Sequence, residues 1–104
     1  IVEPLGNGRS GIEADPASPL FDTIREVIQA ADPEATVTPF LVSGGTDAAS
    51  LPGIKVYGFM PGYFSPAEMN GAHNHDERVS IDNLAFGTRV LFDVVTRYCN
   101  AREA

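Results

Sequence analysis

Ile54-Lys55-Val56-Tyr57-Gly58-Phe59 is the stretch on which the fold reading turns. Its apolar and aromatic side chains, set between Pro52-Gly53 and Pro61, read as a short buried strand. Upstream, Thr36-Val37-Thr38-Pro39-Phe40-Leu41-Val42 is β-branched and apolar and reads as another strand. Pro39 removes one ladder donor and so implies an edge position or a bulge. Helical patterns flank the pair. Ser18-Pro19 offers a capping hydroxyl and a proline at the first helical position, and Leu20, Phe21, Ile24, Val27, Ile28 and Ala31 then form one apolar face. Asp32-Pro33 ends that helix, because the residue before a proline is pushed out of the α region. Ser80 starts a long helix through about Tyr98, with Ile81, Leu84, Leu91, Val94, Val95 and Tyr98 expected to face a core. Strands alternating with helices predict an α/β layer arrangement of about two strands and two to three helices. Two strands cannot make a well-covered sheet, so further sheet is expected from elsewhere.

The bulk properties narrow the function classes. The chain has 104 residues, 43% of them apolar, which allows one domain with a modest core. Net charge is −7 with no basic stripe, which argues against a nucleic-acid surface. No apolar run approaches the roughly 18 residues that span a bilayer. No signal peptide is visible, and the sequence assigns no compartment. One cysteine, Cys99, excludes an internal disulfide and sits in an apolar helical pattern, where a small buried hydrophobe is expected.

Two motifs carry chemistry. In Ser43-Gly44-Gly45-Thr46-Asp47, the glycines permit positive φ and close approach of a ligand to the backbone. Thr46 adds a hydroxyl and Asp47 a carboxylate near a short helix running from Thr46 to Leu51. Such a turn suits a substrate carboxylate or carbonyl oxygen, but Gly-Gly-Thr-Asp also serves as an ordinary helix-capping turn. The other motif is Ala72-His73-Asn74-His75-Asp76-Glu77-Arg78, which follows a Gly-, Pro- and Ser-rich loop at 61–71. A neutral imidazole is a favoured zinc ligand, and a nearby carboxylate commonly fixes its tautomer. His73 and His75 would share one side of an extended strand. Taken alone, the stretch reads equally as a solvated polar loop, since no other His and no Cys with ligand spacing completes a site.

Taken in order, Val42-Ser43-Gly44-Gly45-Thr46-Asp47-Ala48-Ala49, Gly53 through Pro61, His73 through Val79 and the terminal helix closely resemble the C-terminal part of a known family. This is the family of dizinc exopeptidases and amidohydrolases that includes aminoacylase, glutamate carboxypeptidase, succinyl-diaminopimelate desuccinylase and carnosinase (clan MH). The resemblance covers about residues 18–100. It implies part of a zinc-exopeptidase (phosphorylase/hydrolase-like) three-layer α/β/α sandwich. Residues 1–17 would be a connector returning from an absent lid (dimerisation) domain, and 18–104 the C-terminal portion of the catalytic domain. The start at Ile1 rather than Met fits the same expectation.

The resemblance also implies roles. His73 matches the last metal ligand, four residues before the glutamate of a His-x-x-x-Glu pattern. Gly44, Gly45 and Thr46 match the wall that contacts the substrate's carboxylate or carbonyl. Asp47, His75 and Glu77 are supporting residues: Asp47 a structural support such as a cap, His75 a variable position that is not the ligand but could serve as an alternative or a nearby proton carrier, and Glu77 an orienter of the loop. Ala49 stands where many relatives have arginine, a departure that bears on substrate preference. The family's cofactor is a pair of zinc ions, or another divalent metal, that activates a water toward a pKa of about 7. The general base and the remaining ligands lie N-terminal to anything here, so no catalytic residue is expected in this chain. The expected activity of the parent is hydrolysis of a peptide or N-acyl amide bond next to a free carboxylate, and the chain alone is expected to be inactive. The alternative is a non-catalytic binding or interaction module. Expected partners are a small peptide or N-acyl amino acid substrate, the N-terminal part of the same protein, or another copy of the chain. Exposed edges and helix faces motivate the last two.

Overall fold

The computed structural model describes residues 11–100. Residues 1–10 of the expected 1–17 connector lie outside them. Three α-helices follow in order: α1 (Pro19–Ala31), α2 (Pro66–Gly71) and α3 (Ile81–Asn100), with a 3-10 helix at Asp47–Ser50 between the first two. No strand is present among the described residues. The α/β/α sandwich expected from sequence is therefore corrected to a helical arrangement. Neither 36–42 nor 54–59 forms a ladder. A strand exists only by pairing, and neither segment finds a partner for its backbone here. Phe40, 81% exposed, and its neighbours Leu41 and Val42 lie in the open.

α1 forms where its local signals place it. Ser18 Oγ accepts from the Phe21 N–H at 3.2 Å, and Pro19 opens the helix. Asp32 closes it in an extended conformation, its N–H donating to the Ile28 carbonyl. Phe21, Ile24 and Val27 are buried on one side.

α3 packs against α1, and Ile24, Val27, Val90 and Val94 make the core. Here the expected face holds only in part: Val94 is buried and Tyr98 half-buried. The buried positions of α3 are Asn83, Gly87, Val90 and Val94, whereas Ile81, Leu84, Leu91 and Val95 are exposed. Cys99, one turn beyond Val95, is exposed as well, against the expectation of burial. α3 thus carries two apolar stripes, and the one richer in large side chains faces outward.

The segment read as the buried strand lies across the two helices instead. Tyr57 and Phe59 pack against the core, while Ile54 is exposed. The Tyr57 hydroxyl donates to the Asp15 carbonyl and shares a hydrogen bond with Ser18 Oγ at 2.6 Å, and its ring meets Phe21 edge-on. Further on, Pro61 lies over Gly87 and Tyr63 over Asn83. Asn83 Oδ1 accepts from the Tyr63 N–H at 2.7 Å, and its Nδ2 donates to the Tyr63 carbonyl at 3.1 Å. Two extended residues advance about 6.6 Å. Four helical residues advance about 6 Å. The segment therefore runs antiparallel to α3, in step with one helical turn, and the Asn83 amide gives Tyr63 the pair of hydrogen bonds that a neighbouring strand would have supplied.

Gly87 makes this approach possible. A Cβ there would stand 2.9 Å from the Pro61 carbonyl oxygen. Alanine would gain ~1 kcal/mol of helix propensity. Overpacking against backbone costs ~1–3 kcal/mol and wins. Gly87→Ala is expected to lower stability by up to about 2 kcal/mol in urea unfolding; a variant more stable than the parent would refute this close approach.

Candidate functional site

The histidine cluster sits in the turn between α2 and α3, and residues 72–80 are all exposed. His73 has φ 63° and Asp76 φ 68°, both left-handed without being glycine. The His73–His75 pair is thus on a tight turn and not on an extended strand, which corrects the sequence reading. His and Asp are among the non-glycine types enriched in this region, yet each such residue costs of order 1–3 kcal/mol unless its surroundings fix it. The surroundings do so. The His73 N–H donates to Glu77 Oε2 at 3.2 Å, the Asn74 N–H to the Gly71 carbonyl at 3.0 Å, and Asn74 Nδ2 to the Asn70 carbonyl at 3.0 Å.

The two ends of this loop meet at one carboxylate. Glu68 Oε2 accepts from Ser65 N–H and Ser65 Oγ, both at 2.9 Å, and Ser65 Oγ accepts in return from the Glu68 N–H. That reciprocal pair is a capping box at the start of α2. Glu68 Oε1 accepts from the Ser80 N–H at 3.1 Å and from Asn83 Nδ2 at 3.4 Å, at the start of α3. Hydrogen bonds from Ser65 first, then from Ser80 and Asn83, hold the Glu68 carboxyl well below the ordinary range, at about 2. The sign follows from that depression: its contribution to order is complete above the ordinary carboxylate range and is lost as pH falls toward the depressed value.

α2 stands within the stretch 61–71 that the sequence pattern reads as loop. Its signal stands in the sequence as Ser65-Pro66-Ala67-Glu68, a capping hydroxyl, a first-turn proline and a glutamate at the third helical position. Asn83 and Tyr63 were also unremarked. Tyr63 donates its hydroxyl to Asp32 Oδ2 at 2.7 Å, which ties the approach to this loop to the end of α1. That carboxylate bond raises the pKa of the phenol.

The glycine turn is built differently from the reading. Of the described glycines only Gly53 has a positive φ; Gly44 and Gly45 do not, and a Cβ at either would meet nothing. Thr46, not Asp47, is the cap: its Oγ1 accepts from the Ala48 N–H at 3.3 Å, and Asp47 opens the 3-10 helix. Among the described residues no hydrogen bond joins this turn to the histidine loop. Two shallow clefts, of about 310 and 270 Å³, lie at Ser65–Ser80 and at Ile12–Val56, and neither is lined by His73, Gly44, Gly45 or Thr46.

As for a metal, His73 has an exposed imidazole with no hydrogen bond to any described residue, on a backbone that is held in place. That fits one donor to an ion. No three His, Cys, Asp or Glu side chains converge among the described residues, so they do not complete a centre by themselves.

Residues 2–97 match the peptidase family M20/M25/M40. The chain belongs to this family. No curated protein and no solved structure matches it. M20 membership points to metallopeptidase or amidohydrolase chemistry, and M20 peptidases are generally metal-dependent. No helix among the described residues is long and apolar enough to cross a membrane.

Proposed function

We propose that this chain is the C-terminal part of an M20 hydrolase that cleaves a peptide or N-acyl amide bond next to a free carboxylate, with His73 as one ligand of a zinc centre. The single observation that carries the reading is the held, left-handed His73 backbone with its imidazole left open to solvent. A strained non-glycine residue in an otherwise polar turn is retained where its side chain has work to do. Glu77 orients that turn through the His73 N–H. His75 stands at a variable position of the His-x-x-x-Glu pattern and is not the assigned ligand. Gly44, Gly45 and Thr46 line the substrate side, where Thr46 also caps the start of the 3-10 helix.

The other ligands and the general base come from an N-terminal part of the same catalytic protein. A hydrolytic zinc normally needs three protein ligands, and His73 is the one assigned here. The outward stripe of α3 and the open Phe40-Leu41-Val42 support the same view, as surfaces for that part or for another copy of the chain. Purified chain incubated with zinc is expected to hydrolyse neither dipeptides nor N-acyl amino acids, and the complete enzyme to do so until a chelator removes the metal. Zinc-dependent turnover by the chain alone would refute the division of the site. A complete protein that binds no metal would favour the binding module instead.

A further inference from the structure

The Glu68 carboxylate does more than a capping box requires. A box uses one oxygen at the start of one helix, and Gln serves there nearly as well as Glu. Here Oε2 holds the start of α2 and Oε1 the start of α3, twelve residues later, with four donors on two oxygens. An ionised carboxylate accepts at all its lone pairs, whereas a glutamine amide accepts on one oxygen and presents N–H groups at the other position. Glutamine can therefore serve one helix start but not both.

We propose that Glu68 is a positioning residue that clasps both ends of the 65–80 segment and so fixes the place of His73. The inference deepens the reading of His73 as a metal ligand and rests on it for its catalytic meaning. Its geometry is independent of that reading. Asn83, 7% exposed, extends the clasp: the same amide that holds Tyr63 reaches Glu68. The loop is thereby referred to the helix surface that packs on α1, and the lowered pKa of Glu68 keeps the clasp ionised throughout the neutral range.

The test is amide hydrogen exchange by NMR on this chain carrying Glu68→Gln, with no metal present. Exchange at His73 and Ser80 is expected to rise about tenfold, the loss of one charge-assisted hydrogen bond, while Val27, Val90 and Val94 keep their protection. Unchanged exchange at His73 would overturn the proposal, since Glu68 would then be a capping residue alone. Equal acceleration at Val90 and Val94 would overturn it too, by making Glu68 a residue of general stability. In the metal-loaded enzyme, Glu68→Gln is expected to weaken zinc about tenfold in chelator competition, within the range for groups that orient a ligand. Undiminished zinc affinity would overturn the catalytic meaning. The two readings fail separately: zinc content unaffected by His73→Ala sinks the ligand assignment and leaves the exchange result as it stands.

Discussion

Val90→Asp is expected to unfold the chain, and Leu84→Asp to leave it folded. The two positions lie on the two apolar stripes of α3. Val90 is 1% exposed and touches the core of Ile24, Val27 and Val94, while Leu84 is 59% exposed. An aspartate at Val90 would be ionised without a partner or would be forced to take up a proton. Either way it costs several kcal/mol, against a total stability of roughly 5–15 kcal/mol for a domain. This core has few buried side chains, which puts it at the low end. At Leu84 the carboxylate stays in water near the start of α3, where the helix dipole favours negative charge. The effect there is expected within about 0.5 kcal/mol. Far-ultraviolet circular dichroism with urea titration decides between them. The opposite order would restore the face expected from the sequence and refute the packing of α1 on α3.

The reason that face was misread is physical. Hydrophobicity alone favours Ile81, Leu84, Leu91 and Val95, because the buried stripe includes a glycine and an asparagine. Gly87 is buried because Pro61 comes within contact of it, and Asn83 because Tyr63 needs its amide. Both are facts about a segment twenty or more residues away, and no periodicity within α3 contains them. Cys99 follows the same error by one turn. α1, in contrast, was legible apart from Ala31, which is exposed: its cap, apolar stripe and stop are all local, and local signals suffice when the packing face is also the most apolar one.

The strands failed for a related reason. Apolar, β-branched composition states that a segment would fit a pleated surface, and it cannot state that a partner is present. Tyr57 and Phe59 are packed as the reading required, but against helices. At the site, the role of Thr46 as an ordinary cap was open to inspection. The clasp was half legible. Ser65 and Glu68 spell a capping box, whereas the reach of Glu68 to Ser80 and Asn83 is set by the folded course of the intervening loop.

His73 allows a test in which stability and activity move in opposite directions. Its side chain bonds nothing among the described residues, and its backbone is left-handed at φ 63°. Glycine at this position removes a Cβ penalty of ~1–2 kcal/mol. It adds a backbone entropy cost of ~0.5–1 kcal/mol. His73→Gly is therefore expected to raise the stability of the chain slightly, by about 0.5–1 kcal/mol in urea unfolding. The same substitution in the metal-loaded enzyme removes a ligand, and turnover is expected to fall more than about a hundredfold, beyond the 10–100-fold typical of groups that only orient ligands. His75→Ala, two residues away, is expected to change neither quantity materially. A residue of the fold would lose stability and activity together, and a residue of a solvated loop would lose neither. A gain in stability with collapse of turnover separates a metal ligand from both. Retained activity in His73→Gly would overturn the assignment, whatever the stability did.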